Sequence, residues 1–291
     1  MLTDELMREV RRLQLRTKRR VQGLFAGEYQ SAFKGRGIEF AEVREYEPGD
    51  DVRAIDWNVT ARSGKTFIKR FHEERELTVM LVVDLSRSGA FGSSGREKSR
   101  VAVEVAAVLA LTASMNNDRV GLLIFAEEVE LFLPPRKGRT HVLRLLRELL
   151  NFEPRGNGTD VGAALEHMGR LLNRRSLAFV ISDFESRPFE KVMKVVSRQH
   201  EIVAVEVSDP RERELPSVGL MEVCDAESGE RMVVDTSSRR ARREYAKLAH
   251  EREQERRRLF ARAKVDRVPV STDRPFVADV ERYFRMRERR R

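Results

Sequence analysis

Glu76-Leu77-Thr78-Val79-Met80-Leu81-Val82-Val83-Asp84-Leu85-Ser86-Arg87-Ser88 reads as a strand that stops on a carboxylate. The unbroken apolar run from Val79 to Val83 suits a strand covered on both faces, the signature of a parallel sheet. Asp84 then stands at the strand's carboxyl end, where open α/β sheets gather their ligands. Alternate residues of a nearly extended loop point the same way, so Asp84, Ser86 and Ser88 offer three oxygens to one point. An oxygen set without His or Cys favours a hard cation, Mg2+ first and then Mn2+ or Ca2+. The plainer alternative is a strand cap followed by a turn and a helix cap.

Two further stretches bear on that choice. Gly156-Asn157-Gly158-Thr159-Asp160 opens a helical pattern, and Leu177-Ala178-Phe179-Val180-Ile181 is a second buried strand ending in Ser182-Asp183. If the two strands are neighbours, about 5 Å apart, Asp84 and Asp183 end side by side and the glycine-rich loop brings Thr159 to the same spot. Asp160 reads as the cap of the helix that follows.

Asp84-x-Ser86-x-Ser88 with Thr159 and Asp183 resembles the metal-ion-dependent adhesion site of von Willebrand factor A domains. Upstream, Tyr46-x-Pro48-Gly49-Asp50-Asp51-x-Arg53-x-Ile55-Asp56-Trp57, followed by Ala61-Arg62 and Arg70-Phe71, resembles the bacterial family called "domain of unknown function 58". The resemblance implies an A-type domain behind a distinctive amino-terminal segment. It also implies a chaperone-like partnership with a MoxR-type AAA+ ATPase in protein assembly, remodelling or activation. Gly89, where relatives prefer a larger residue, is expected to loosen the loop without removing a ligand.

The rest of the chain fits this frame. Its 291 residues, 41% of them apolar, can bury a large core, and the single cysteine, Cys224, excludes an internal disulfide framework. No stretch approaches the roughly 20 apolar residues of a membrane span, and the amino terminus lacks a secretion signal's apolar core, so a cytoplasmic location is expected. Apolar residues at helical spacing predict a helix from Thr3 to Leu24. Gly and Pro breaks across 23–75 predict a small β-rich appendage, with strands at Gly37 to Val43 and Thr66 to Phe71 and a tight turn at Glu47-Pro48-Gly49-Asp50. Asp50, Asp51, Arg53, Asp56 and Arg62 are expected to form an ion-pair network around Trp57. Alternating strands and helices from 76 to 291, with an antiparallel edge at Val129 to Leu133 and a hairpin at Leu220 to Cys224 and Arg231 to Asp235, predict a doubly wound, mostly parallel α/β sheet. The expected division is therefore 1–75 for the amino-terminal helix and appendage and 76–291 for the A-like domain.

Three functions compete. The first is a non-enzymatic interaction module whose metal takes an acidic side chain of a partner protein. The second is a nucleic-acid-binding protein using basic ends, because residues 237–291 carry a net +10 and residues 1–22 a net +4 within an overall +9. Arg interleaved with Glu on a helical pattern, with few aromatics, suits solvated helix faces better. The third is a Mg2+-dependent phosphatase, which lacks an evident general acid among five unpaired histidines. A phosphate-binding loop at Gly92 to Ser99 is rejected, because Glu97 stands where a glycine is required and would repel phosphate.

Overall fold

In this computed structural model the described residues are 29, 32–33, 39–48, 50–52, 55–72, 76–93, 95–156, 158–224 and 231–290. The helix expected from Thr3 to Leu24 lies outside them. An antiparallel pair, β1 (Glu39–Glu45) and β2 (Phe67–His72), brackets a short helix, α1 (Trp57–Ser63). Sequence reading did not anticipate α1. It forms because Asp56 caps it, accepting from the amides of Asn58 and Val59, and Gly64 ends it at φ 71°. The expected turn is present, with the Asp50 amide donating to the Glu47 carbonyl. Trp57 is 68% exposed and Asp50 pairs with Arg44 at 2.6 Å, while Arg53 of the expected network lies outside the described residues.

From residue 78 strands and helices alternate: β3 (Thr78–Asp84), α2 (Lys98–Met115), β4 (Arg119–Phe125), β5 (Val129–Arg136), α3 (Arg139–Leu150), α4 (Val161–Leu171), β6 (Leu177–Ser182), α5 (Glu190–Gln199) and β7 (Glu201–Ser208). A hairpin of β8 (Leu220–Cys224) and β9 (Arg231–Asp235) follows, then α6 (Arg239–Ala263), β10 (Asp266–Ser271) and α7 (Val277–Arg289). The six-stranded sheet runs β10-β7-β6-β3-β4-β5, parallel except for the edge strand β5. This is the doubly wound, mostly parallel α/β architecture that the resemblance implies.

Strand alternation divides the core into two layers. Val79, Leu81 and Val83 of β3 face α2, α3 and α7, while Met80 and Val82 face α4, α5 and α6. Tyr29, Ala32 and Phe33, which lie within the span read as an appendage, are buried in the first layer, where Phe33 meets Phe179 and Phe284 edge-on. The sheet order fixes the site: the chain leaves β3 toward β4 on one side and returns to β6 on the other. The loops after β3 and β6 therefore part at the same point on the carboxyl edge, the switch point of such a sheet. Among the described residues no helix is long and apolar enough to cross a membrane.

Candidate metal centre

Asp84 closes β3 almost fully buried, 6% exposed, and both its oxygens are engaged. Oδ1 accepts from the Ser86 amide at 3.0 Å, which folds the loop back over the strand end, and Oδ2 accepts from Ser182 Oγ at 2.6 Å. Because β3 and β6 pair in parallel register, Ser182 is carried to Asp84 from the adjacent strand. The same hydroxyl accepts from the Phe184 amide, holding the turn that sets Asp183. Phe184 takes a left-handed φ of 58°, unusual for a bulky residue, and its ring is pinned against Phe189 and Phe260.

The hydroxyls of Ser86, Ser88 and Thr159 form one cluster. Ser86 Oγ lies 2.9 Å from Ser88 Oγ and accepts from Thr159 Oγ1 at 2.9 Å. Thr159 is held from both sides of its own backbone. The Asp160 amide donates to the Ala126 carbonyl, and Ser186 Oγ donates to the Thr159 carbonyl. Asp160 caps α4 by accepting from the Ala163 amide, as its place in the sequence implied.

Asp183 completes the set, with Oδ1 accepting from the Glu185 amide and Oδ2 from Lys98 Nζ at 2.6 Å. Burial first, and then the charge of Asp183, push the Asp84 carboxyl up to about 6, against the hydrogen bonds from Ser182 and Ser86. Of the five residues singled out from sequence, Asp84, Ser88 and Asp183 line one pocket, Ser86 and Thr159 join it through the hydroxyl cluster, and the second carboxylate destabilises the charge on the first. Among the described residues no three His, Cys, Asp or Glu side chains converge, so a cation here would have to draw on hydroxyls as well. Such an all-oxygen set fits a hard divalent ion.

Gly89 is a close approach, since a Cβ there would lie 3.2 Å from Ser99 Cβ at the start of α2. Sequence reading missed Ser182 and Lys98. The signal for Lys98 was available: a cation in the first turn of a helix opposes the helix dipole and needs an anion to hold it. Its partners are Asp183 and, from the turn after β7, Glu212. Burial works against the lysine's charge, but those two carboxylates outweigh it and hold its pKa above the ordinary value.

The pattern of the family described as "Protein of unknown function DUF58" matches residues 42–255. An uncharacterized protein of Mycobacterium tuberculosis is 34% identical over 289 residues, covering 98% of this chain and 90% of that protein. Among solved structures, an aerotolerance-related membrane protein from Bacteroides fragilis is 18% identical, with 74% of this chain and all of that one covered at a TM-score of 0.48. Proximal thread matrix protein 1 of the mussel byssus, solved with a zinc-occupied MIDAS motif, is 15% identical, covering 46% of this chain and 39% of that one at a TM-score of 0.38.

Proposed function

This chain belongs to the DUF58 family of unknown function, and on that premise we propose that it is a non-enzymatic interaction module whose divalent-metal site takes an acidic side chain of a partner protein. The observation that carries this reading is the meeting of Asp84 and Asp183 with the Ser86, Ser88 and Thr159 hydroxyls at the sheet's switch point. Asp84, whose charge is made costlier by burial and by the neighbouring Asp183, is relieved by a cation between the two carboxylates. A divalent ion supplies that charge together with a coordination position open to an outside oxygen. Asp84 and Asp183 would balance its charge, and the three hydroxyls would donate neutral oxygens. Mg2+ is the first expectation, with Mn2+ and Ca2+ as alternatives. The partner we propose, from the family resemblance, is a MoxR-type AAA+ ATPase or the protein it remodels, met in the cytoplasm.

Isothermal titration of the full chain with Mg2+ and Mn2+ tests the metal. Asp84→Ala is expected to weaken binding by at least about 100-fold, or about 2.7 kcal/mol; equal affinity in both proteins removes the site. A pull-down of the ATPase with and without chelator tests the partner. Capture that ignores the chelator would separate the partnership from the metal.

The nucleic-acid reading fares less well against the ion pairs of the carboxyl-terminal third. Arg256 is engaged by Glu185 and Glu206, Arg262 by Glu190, Arg267 by Glu206 and Glu253, and Arg287 by Glu201 and Asp266. These four arginines are engaged by carboxylates of the fold instead of being offered to phosphates. A Mg2+-dependent phosphatase would need turnover on phosphate esters that responds to Asp84→Ala.

A further inference from the structure

Lys98 stands where the proposed metal's charge would act. It is 5% exposed, it lines the same pocket as Asp84, Ser88 and Asp183, and its ammonium is bonded to Asp183 Oδ2 at 2.6 Å and to Glu212 Oε1 at 2.5 Å. The other oxygen of Asp183 accepts from the Glu185 amide, so a cation drawing on Oδ2 meets the ammonium directly. Glu212 is not a casual neighbour. Its second oxygen accepts from the Asp209 amide, and Asp209, fully buried, is fixed by Ser93, the Arg211 amide and Thr272. The lysine therefore sits between one carboxylate that belongs to the site and one that is anchored outside it.

We propose that Lys98 is an internal counter-cation that competes with the divalent ion for Asp183, with Glu212 as the seat that keeps the ammonium when the ion draws on Asp183. This rests on the metal reading given above. Two cations within reach of one buried carboxylate repel each other, and the weak dielectric screening of a buried pocket makes that repulsion strong. Lys98 would thus hold down the site's affinity for bare metal and favour occupancy when a partner adds its own negative charge. A lysine that only stapled α2 to the loops after β6 and β7 would have no such effect.

The test is calorimetric titration of Mg2+ and Mn2+ into the full chain, the Lys98→Met variant and the Glu212→Gln variant, with folding checked by circular dichroism and cooperative unfolding. Lys98→Met is expected to bind about tenfold tighter or better, and Asp84→Ala added to it should abolish the gain. Glu212→Gln, which leaves the ammonium wholly to Asp183, is expected to bind several-fold more weakly. Should the wild-type chain bind neither ion while Lys98→Met binds, the competition is supported in its strongest form. Affinity unchanged or weaker in folded Lys98→Met overturns the inference and leaves the metal reading standing. If Lys98→Met does not fold, affinity unchanged or tighter in Glu212→Gln overturns it instead. Absence of binding in wild type and both variants removes the metal reading and the inference together.

Discussion

Asp84 and Asp118 lie at opposite edges of the same sheet, both nearly buried and both pushed up to about 6, with burial the largest cause in each. Their surroundings differ. Asp118, just before β4, accepts from the Leu77 amide at 2.9 Å and from the Tyr29 hydroxyl at 3.0 Å, and so ties the segment around Tyr29 to the sheet. Asp84 accepts bonds of the same kind, but it also faces Asp183 and shares its edge with three clustered hydroxyls and a lysine. A raised carboxyl therefore does not by itself mark a functional site, since burial alone produces it. The mark is a second buried carboxylate beside a cluster of neutral oxygen donors.

The largest effect should come from the stapling edge. Phe284, fully buried, meets Phe33 at 5.6 Å and Tyr29 at 5.8 Å, both edge-on. Phe284→Ala is expected to cost about 3–5 kcal/mol in urea denaturation, and a smaller loss would mean that the Tyr29 segment contributes little to the core. Asp118→Ala comes next. It leaves the Leu77 amide and the Tyr29 hydroxyl without their acceptor, at a cost of about 2–3 kcal/mol, while Mn2+ affinity stays at the wild-type value. Loss of metal affinity in that variant would break the contrast between the two edges. Asp84→Asn should do the reverse. The folded-state pKa lies above the ordinary 3.8, so the stability cost of ionising Asp84 builds as the pH rises from 3.8 and is complete above about 6. Without metal at pH 8 the variant is expected to be at least as stable as wild type, yet to have lost cation binding; clear destabilisation would make Asp84 a second staple.

Much of this was legible in the chain because the signals are local. Apolar runs that stop on Asp84 and on Ser182-Asp183 place the ends of β3 and β6, whereas Ser88 reaches Ser86 from a 3-10 turn, Arg87–Ala90, and not from the nearly extended loop expected. Asp160 announced its helix in the same way. What stayed hidden depends on partners remote in sequence. Lys98 lies 85 residues from Asp183 and 114 from Glu212. Reading Gly92 to Ser99 against the phosphate-loop pattern is silent about the partners of the lysine's charge. Ser182 was seen as the end of a strand, since its bond to Asp84 exists only once the two strands are in register. The hairpin of β8 and β9 was placed correctly, but alternation could not tell that Leu220, Met232 and Val233 would be exposed.

His200 supplies the smallest test, at the stapling edge where β7 begins. Its ring is 2% exposed, and neither nitrogen has a hydrogen-bond partner among the described residues. Burial holds its pKa below the ordinary 6.5. The folded state then binds fewer protons than the unfolded chain, so the stability tied to neutral His200 is complete above about pH 6.5 and drains away as the pH falls through that value. Asp84 and Asp118 act with the opposite sign, because raised carboxyls favour the fold as the pH falls through 6 toward 3.8. The wild-type profile between pH 7.5 and 5.5 is their sum, and His200→Met should uncover the carboxylate part. Relative to wild type, the variant is expected to gain stability at pH 5.5 and change little at pH 7.5, as measured by urea denaturation at both values. An equal change at the two pH values would mean that His200 keeps one protonation state across the range, leaving the pH response of the fold to the two aspartates.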